Sequence, residues 1–208
     1  GLYERGKGNK NKEEAKAVIR EIERRLCDLH TSSQSIGVVT FNINQQSLIE
    51  DLLNDMLRKN SSAEMAAAKL SEPIFVKNLE NVQGDERDVI LFSVGYGRDK
   101  YGKVSMTFGP LNRDGGERRL NVAVSRARYQ MKVFSSLKAE DIDLNRSNAK
   151  GVKYLKSFLE YAERGNIAFL NMDDDYRHKS KDAFIESVAE ALRQSGFRVN
   201  TNIGSSEY

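Results

Sequence analysis

At 208 residues, with 39% hydrophobic and 30% charged residues, the chain has the balance of a globular protein with room for one ordinary domain and part of another. Its formal net charge of +3 is too small to mark a nucleic-acid binder by itself, and its lone cysteine, Cys27, excludes an internal disulfide framework and predicts an intracellular, cytoplasmic setting. No run approaches the ~18 apolar residues of a membrane helix, no signal-peptide pattern opens the chain, and His30 and His178 have no cysteine at ligand spacing, which argues against a zinc site.

The chain opens without Met, as a segment of a longer polypeptide would, and residues 1–11, rich in Gly, Lys and Asn, predict a loop. Asn11 has the chemistry of an N-cap, and Glu14 stands where a capping box places its acidic residue. Ala15, Val18, Ile19, Ile22 and Leu26 recur on one stripe, predicting an amphipathic helix over Lys12–Leu29 with Cys27 as a packing residue. Ile36–Phe41 predicts a buried strand, followed by helical patterns over 45–59 and 61–70. A strand over 74–77 leads into the polar loop Glu80–Asp88 and a further apolar strand over 89–94. Residues 95–117 hold six glycines and Pro110 and predict a long loop. A helix over 118–127 and a strand over 131–135 close the unit. Four strands alternating with helices predict an α/β fold, a mainly parallel sheet covered by helices on both faces, over residues 1–140.

Beyond that boundary, Val152, Leu155, Phe158, Leu159 and Ala162 predict a helix over Lys150–Arg164, part of a helix-and-linker stretch over 141–180. Asp173-Asp174-Asp175 reads as a turn or linker rather than a metal site. A helix over 181–194 and a strand over 197–201 end the chain without completing a fold, so 181–208 is expected to be an incomplete domain.

The most informative run is Arg118-Arg119-Leu120-Asn121-Val122-Ala123-Val124-Ser125-Arg126-Ala127-Arg128. On a helix, Leu120, Val124, Ala127 and Met131 form a core-facing stripe, and Arg119 and Arg126, seven residues apart, share another face. Paired guanidinium groups there call for an anion such as phosphate; a solvated basic helix face is the other reading. Charge is uneven along the chain: residues 1–12 carry four basic groups against one acidic, and residues 113–132 six against two.

The strand-and-helix pattern at 36–57, then Gln83-Gly84-Asp85-Glu86-Arg87-Asp88, then the arginine run, resemble in order motifs IV, V and VI of superfamily 1 helicases. The likeness is to the 5′-to-3′ branch, and more narrowly to the large bacterial members of the DNA2/NAM7 type. It implies the second RecA-like domain of an ATP-driven motor that tracks single-stranded nucleic acid, with DNA favoured over RNA. Residues from about 181 (Phe184, Val188, Leu192, Gly196, Val199) resemble the start of a very-short-patch-repair-like nuclease domain, with Ile185 where that family has glutamate.

ATP cleavage in such motors needs a phosphate cradle, Mg²⁺, a water-orienting acid and a cation on the γ-phosphate from the facing domain. No Gly-x-x-x-x-Gly-Lys-Ser/Thr loop occurs in the sequence, so ATP and Mg²⁺ would be held mainly by an N-terminal RecA-like domain of the same polypeptide, and this chain alone should not hydrolyse ATP. The resemblance implies Arg126 as the arginine finger, Glu86 as acceptor for the ribose hydroxyls, Gln83 as the link between nucleotide and nucleic acid, Gly84 as the point of close backbone approach, and Arg119 as a further nucleotide contact. Arg118 and Arg128 stand open as fold or nucleic-acid contacts. Asn11-Lys12-Glu13-Glu14-Ala15 resembles an Asn-Arg-x-Glu-Ala element, implying Lys12 as a second cation on the γ-phosphate; an exposed helix-start lysine is the alternative. Thr40, Asn42 and Ser93 would touch the sugar-phosphate backbone, although Thr40-Phe41-Asn42-Ile43-Asn44-Gln45 lacks the tyrosine of the related Thr-Pro-Tyr-x-x-Gln pattern. The rival readings are a non-catalytic RecA-like module that binds nucleic acid, and a domain that positions substrate for a nuclease.

Overall fold

The structure, a computed structural model, describes residues 1–4, 6 and 8–165. The expected helix 181–194, strand 197–201, acidic triplet and nuclease-like pattern lie outside the described residues. The first compact unit runs from Gly1 to Glu163, and the second, Arg164–Tyr208, falls almost wholly outside them.

The elements follow the sequence pattern: α1 (Lys12–Cys27), β1 (Ile36–Thr40), α2 (Ile43–Lys59), α3 (Ser61–Ala68), β2 (Phe75–Asn78), β3 (Arg87–Ser93), α4 (Gly116–Val124), β4 (Ala127–Phe134) and α5 (Lys150–Arg164). The four strands form one sheet in the order β2-β1-β3-β4, every neighbouring pair parallel. Each parallel connection needs a crossover, and the helices supply it. Alternation along the strands divides the core into two layers. Val39, Phe41, Ile90, Phe92 and Val94 pack with Leu120 of α4 and Leu155 of α5. Ile36, Val38, Val89 and Leu91 pack with α1, α2 and α3 through Val18, Ile22, Ile49 and Ala63. This is the expected α/β, RecA-like arrangement, with helices on both faces.

Three differences from the expected pattern have physical causes. The sequence 118–127 contains no helix breaker, yet α4 ends at Val124 with Ser125 as its C-cap, because the backbone of the next residues joins the sheet: Arg87 N–H donates to Arg126 O at 3.1 Å. Ala127 and Met131 therefore lie on β4, and the helical stripe stops at Val124. Cys27 is exposed at the end of α1 rather than packed in its core stripe. Residues 95–117, expected as loop throughout, include the start of α4 at Gly116, and Tyr96, Met106, Phe108 and Leu111 tie the rest into the core.

Helix α5 extends the unit past residue 140. Val152 and Leu155 are fully buried in the same layer as Leu111 and Phe92. Leu155→Ala should therefore destabilise the whole unit by about 2–5 kcal/mol, the cost of emptying a leucine site in a packed core. Urea unfolding monitored by circular dichroism measures this; a loss below about 1 kcal/mol would mean that α5 is an appendage.

Candidate functional site

Open parallel sheets place ligands beyond the carboxyl ends of their strands, at the point where strand order reverses. Here the chain leaves β1 for β2 on one side and then returns to β3 on the other, so the crevice lies between the ends of β1 and β3. The protein fills it with its own side chains. Glu14 Oε1 accepts hydrogen bonds from Ser93 Oγ at 2.8 Å and Gly95 N at 2.6 Å, and its Oε2 accepts from Ser136 N at 3.1 Å. Asn11 caps α1 by accepting from Glu14 N at 3.2 Å, donates its own N–H to Gln45 Oε1 at 2.8 Å, and donates Nδ2–H to Ser136 Oγ at 2.8 Å. Gln45 closes the network by donating to Asn11 O and Ser93 Oγ, both at 3.2 Å. Gly95 has φ +73, and a Cβ there would stand 3.0 Å from Gln45 Cγ, so both conformation and contact call for glycine.

This network takes in Thr40 and Ser93, two of the residues expected to touch nucleic acid. Both are fully buried; Thr40 Oγ1 donates to Asn42 O at 3.1 Å, and Ser93 is engaged by Glu14 and Gln45. Asn42, half-buried, caps α2 by accepting from Gln45 N at 2.9 Å. All three residues build the fold's upper edge, and the two hydroxyls face inward.

Burial pushes the Glu14 carboxyl up to about 7 against the pull of its three donors, those of Gly95, Ser93 and Ser136. A carboxyl raised in the folded state favours its protonated form there. Its contribution is therefore fully present below the ordinary value of 4.5 and is lost as pH rises through about 7. The stability margin of the protein over its Glu14→Gln variant should shrink between pH 5 and pH 8, read from paired thermal melts. A margin that stays constant or grows over that range would show Glu14 charged throughout.

The other sequence-predicted residues gather at the opposite, amino-terminal edge of the strands. Arg87 pairs with Ala127 in the β3–β4 ladder, so Glu86 and Arg126 each stand one residue before neighbouring strands, which run about 4.8 Å apart. Gln83 and Gly84 are exposed in the turn before β3; Asp85 N donates to Val82 O at 3.3 Å, with Gly84 at φ +88. That is the position where a type II turn demands positive φ, and a Cβ at Gly84 would meet nothing within 4 Å. Arg126 is half-buried. Its Nε donates to Val122 O at 2.8 Å and its Nη2 to Ser125 Oγ at 2.9 Å, capping the carboxyl end of α4. Among the described residues no carboxylate pairs with it.

Arg119 and Lys12 are not brought to this place. Arg119 reaches back to Asp114 O, at the start of α4, whereas Arg126 lies beyond the end of that helix, so the shared helical face does not exist. Lys12 opens α1 at the plugged edge, two residues before the carboxylate that bonds to Ser136 beyond β4, and pairs with Glu4 at 2.8 Å. The eight residues of β4 separate that edge from Arg126 by roughly 25 Å at ~3.3 Å per residue. One phosphate cannot touch both.

Sequence reasoning left Glu14 as half of a capping box and gave Gln45, Ser136 and Glu72 no role. Glu14 had a visible signal: it borders the apolar stripe of α1 four residues before Val18, where a carboxylate is costly unless it is satisfied. Asp88, at the end of the expected polar loop, lies at the start of β3, its Oδ2 accepting from Ser35 N at 2.9 Å while its own N–H donates to Ser35 Oγ at 3.0 Å.

The sequence profile of the family described as AAA domain matches residues 3–138. The chain belongs to the AAA domain family. Its relatives include the uncharacterized ATP-dependent helicase MG140 of Mycoplasma genitalium, 39% identical over 161 residues, covering 76% of this chain and 14% of the relative. The homologous protein of Mycoplasma pneumoniae is 39% identical over 160 residues with the same coverage. The DNA polymerase alpha-associated DNA helicase A of Saccharomyces cerevisiae is 31% identical over 168 residues, 80% of this chain and 21% of the relative. This AAA domain spans about a fifth or less of the length of these relatives, which are named as ATP-dependent or DNA helicases. The matched stretch contains both strand edges described above. Among the described residues of the AAA domain, no helix is long and apolar enough to cross a membrane, and no group of His, Cys, Asp and Glu side chains is arranged to hold a metal ion.

Proposed function

We propose that the chain is the second motor domain of an ATP-dependent helicase or translocase, and that it completes a nucleotide site whose phosphate cradle and Mg²⁺ belong to a facing RecA-like domain of the same polypeptide. The observation that carries this reading is Arg126, a guanidinium with no carboxylate partner among the described residues, fixed through Val122 O and Ser125 Oγ at the strand edge it shares with Glu86. Its Nε and one Nη are held by the fold, which leaves the other Nη to reach a phosphoryl oxygen. Arginine suits the task because it stays charged and presents several donors in one plane.

In this reading Glu86 accepts from the nucleotide's ribose and the Gln83-Gly84 turn lies against it. Arg119 and Lys12 are left out of the nucleotide site, on the geometry given above. Single-stranded nucleic acid, with DNA favoured because the yeast relative is a DNA helicase, would run along the opposite edge. There a groove of about 1010 Å³ is lined by Lys10, Lys12, Lys100, Leu2, Tyr3 and Tyr101 together with the acidic residues Glu4, Glu13 and Asp99; Lys12 is paired with Glu4, and Lys100 Nζ lies 4.8 Å from the centre of the Tyr101 ring. Lysines beside an exposed aromatic suit a track read through phosphates and stacking. Residues 181–208 we read as the opening of a nuclease-like domain, on the sequence resemblance alone.

The test is Arg126→Ala in the complete motor. ATP turnover should fall by about 10³-fold, the scale of an arginine finger, with single-strand affinity little changed. A fall of less than about threefold would remove Arg126 from the reaction. That outcome would favour the rival reading of a non-catalytic nucleic-acid-binding module.

A further inference from the structure

Arg128, two residues beyond Arg126, has opposite surroundings. Its Nε donates to Glu86 Oε1 at 3.0 Å, and its two Nη groups donate to Glu72 at 2.7 and 3.3 Å, with Asp88 Oδ1 3.5 Å away. Three carboxylates thus surround one guanidinium. The bonds to Arg128 hold Glu72 below the usual carboxylate range, and bonds from Ser35 first and Arg128 second do the same for Asp88. A phosphate approaching Arg128 would meet a locally anionic cluster, so this arginine is unsuited to bind one.

The arrangement is built to orient Glu86. A bulge in the β3–β4 ladder gives β4 one extra residue opposite Asp88, between the pairs Arg87–Ala127 and Val89–Gln130. Such bulges re-aim side chains, and this one accompanies the return of Arg128 toward the start of β3. Glu72 anchors the far side of the guanidinium and is itself gripped by Arg87, whose Nη1 lies 3.2 Å from Glu72 Oε1. Arg87 is nearly buried and donates to Pro73 O at 3.0 and 3.3 Å. The chain of contacts runs from the protein interior through Arg87, Glu72 and Arg128 to Glu86. Among the described residues only Oε1 of Glu86 is held, and the side chain stays 58% exposed. Its Oε2 remains open to a ligand.

We infer that Arg128 is a positioning residue: it fixes Glu86 through Oε1 so that Oε2 is presented to a nucleotide hydroxyl, and it makes no contact with phosphate. The inference rests on the proposed role of Glu86 at the nucleotide. Orienting a carboxylate in advance lowers the cost of ordering it on binding. Arg128 therefore acts on nucleotide affinity and leaves the chemical step alone, unlike Arg126.

ATP turnover of the complete motor at saturating single strand tests this. Glu86→Ala should raise KM for ATP about tenfold, the worth of one hydrogen bond to a charged group. Arg128→Ala should reproduce most of that rise with kcat reduced less than about threefold, and the double variant should be no worse than Glu86→Ala alone. Glu72→Gln leaves both partners in place while loosening the anchor, and should raise KM by an intermediate factor; it also serves if Arg128→Ala does not fold. A tenfold effect of Glu86→Ala with KM unchanged in both Arg128→Ala and Glu72→Gln overturns the positioning role while sparing the nucleotide site. Multiplying effects in the double variant, or a collapse of kcat in Arg128→Ala, would also overturn it. No effect of Glu86→Ala removes the underlying assignment and the inference together.

Discussion

The carboxylate of Glu14, buried and accepting three hydrogen bonds, is the interaction on which this arrangement turns. It ties the first turn of α1 to Ser93 and Gly95 after β3 and to Ser136 after β4. Each donor would be left unsatisfied in a dry interior if the carboxylate were absent, at a cost of about 1–3 kcal/mol apiece. The same bonds have a topological consequence. They occupy the switch-point crevice with Asn11, Glu14 and Gln45, the place where many sheets of this class hold a ligand. Ligand chemistry on this domain is then left to the other edge of the sheet or to the outer surface.

At that other edge, two arginines of the same run are separated by what surrounds them. Arg126 meets a carbonyl and a hydroxyl; Arg128 meets Glu72, Glu86 and Asp88. A guanidinium already neutralised by carboxylates is a structural fixture, and one held only by neutral groups keeps its charge for an incoming anion. The difference arises from chain direction. Arg126 still belongs to the end of α4, whereas Arg128 has entered β4 at a bulge that faces β3.

Much of the fold was legible in the amino-acid pattern. Alternating strands and helices, the stripe of α1, and the apolar run at 89–94 depend on local periodicity, which a sequence displays directly. The α/β class follows from them, while the roles expected of Glu86 and Arg126 came from the helicase resemblance of their motifs. What was not legible depends on contacts distant in sequence. Nothing in Val124-Ser125-Arg126 says that a helix stops there, because the stop is imposed by pairing with Arg87 some 40 residues earlier. Thr40 and Ser93 look like surface hydroxyls at strand ends until Asn42, Glu14 and Gln45 are seen to claim them. Lys12 resembled a phosphate ligand by its neighbours in sequence, yet helix α1 runs back along the sheet and carries it to the far edge. Leu155 shows an amphipathic helix but not which core receives it.

In the proposed motor, nucleotide meets this domain at the edge before β3 and β4, and the plugged edge does not bind it. Amide hydrogen exchange of the complete motor, with and without a non-hydrolysable ATP analogue, measures this most directly. Exchange should slow in residues 82–87 and 122–128, with residues 11–14, 42–45 and 93–97 unchanged by nucleotide. Protection confined to 11–14 and 93–97, with 82–87 and 122–128 unaffected, would contradict it.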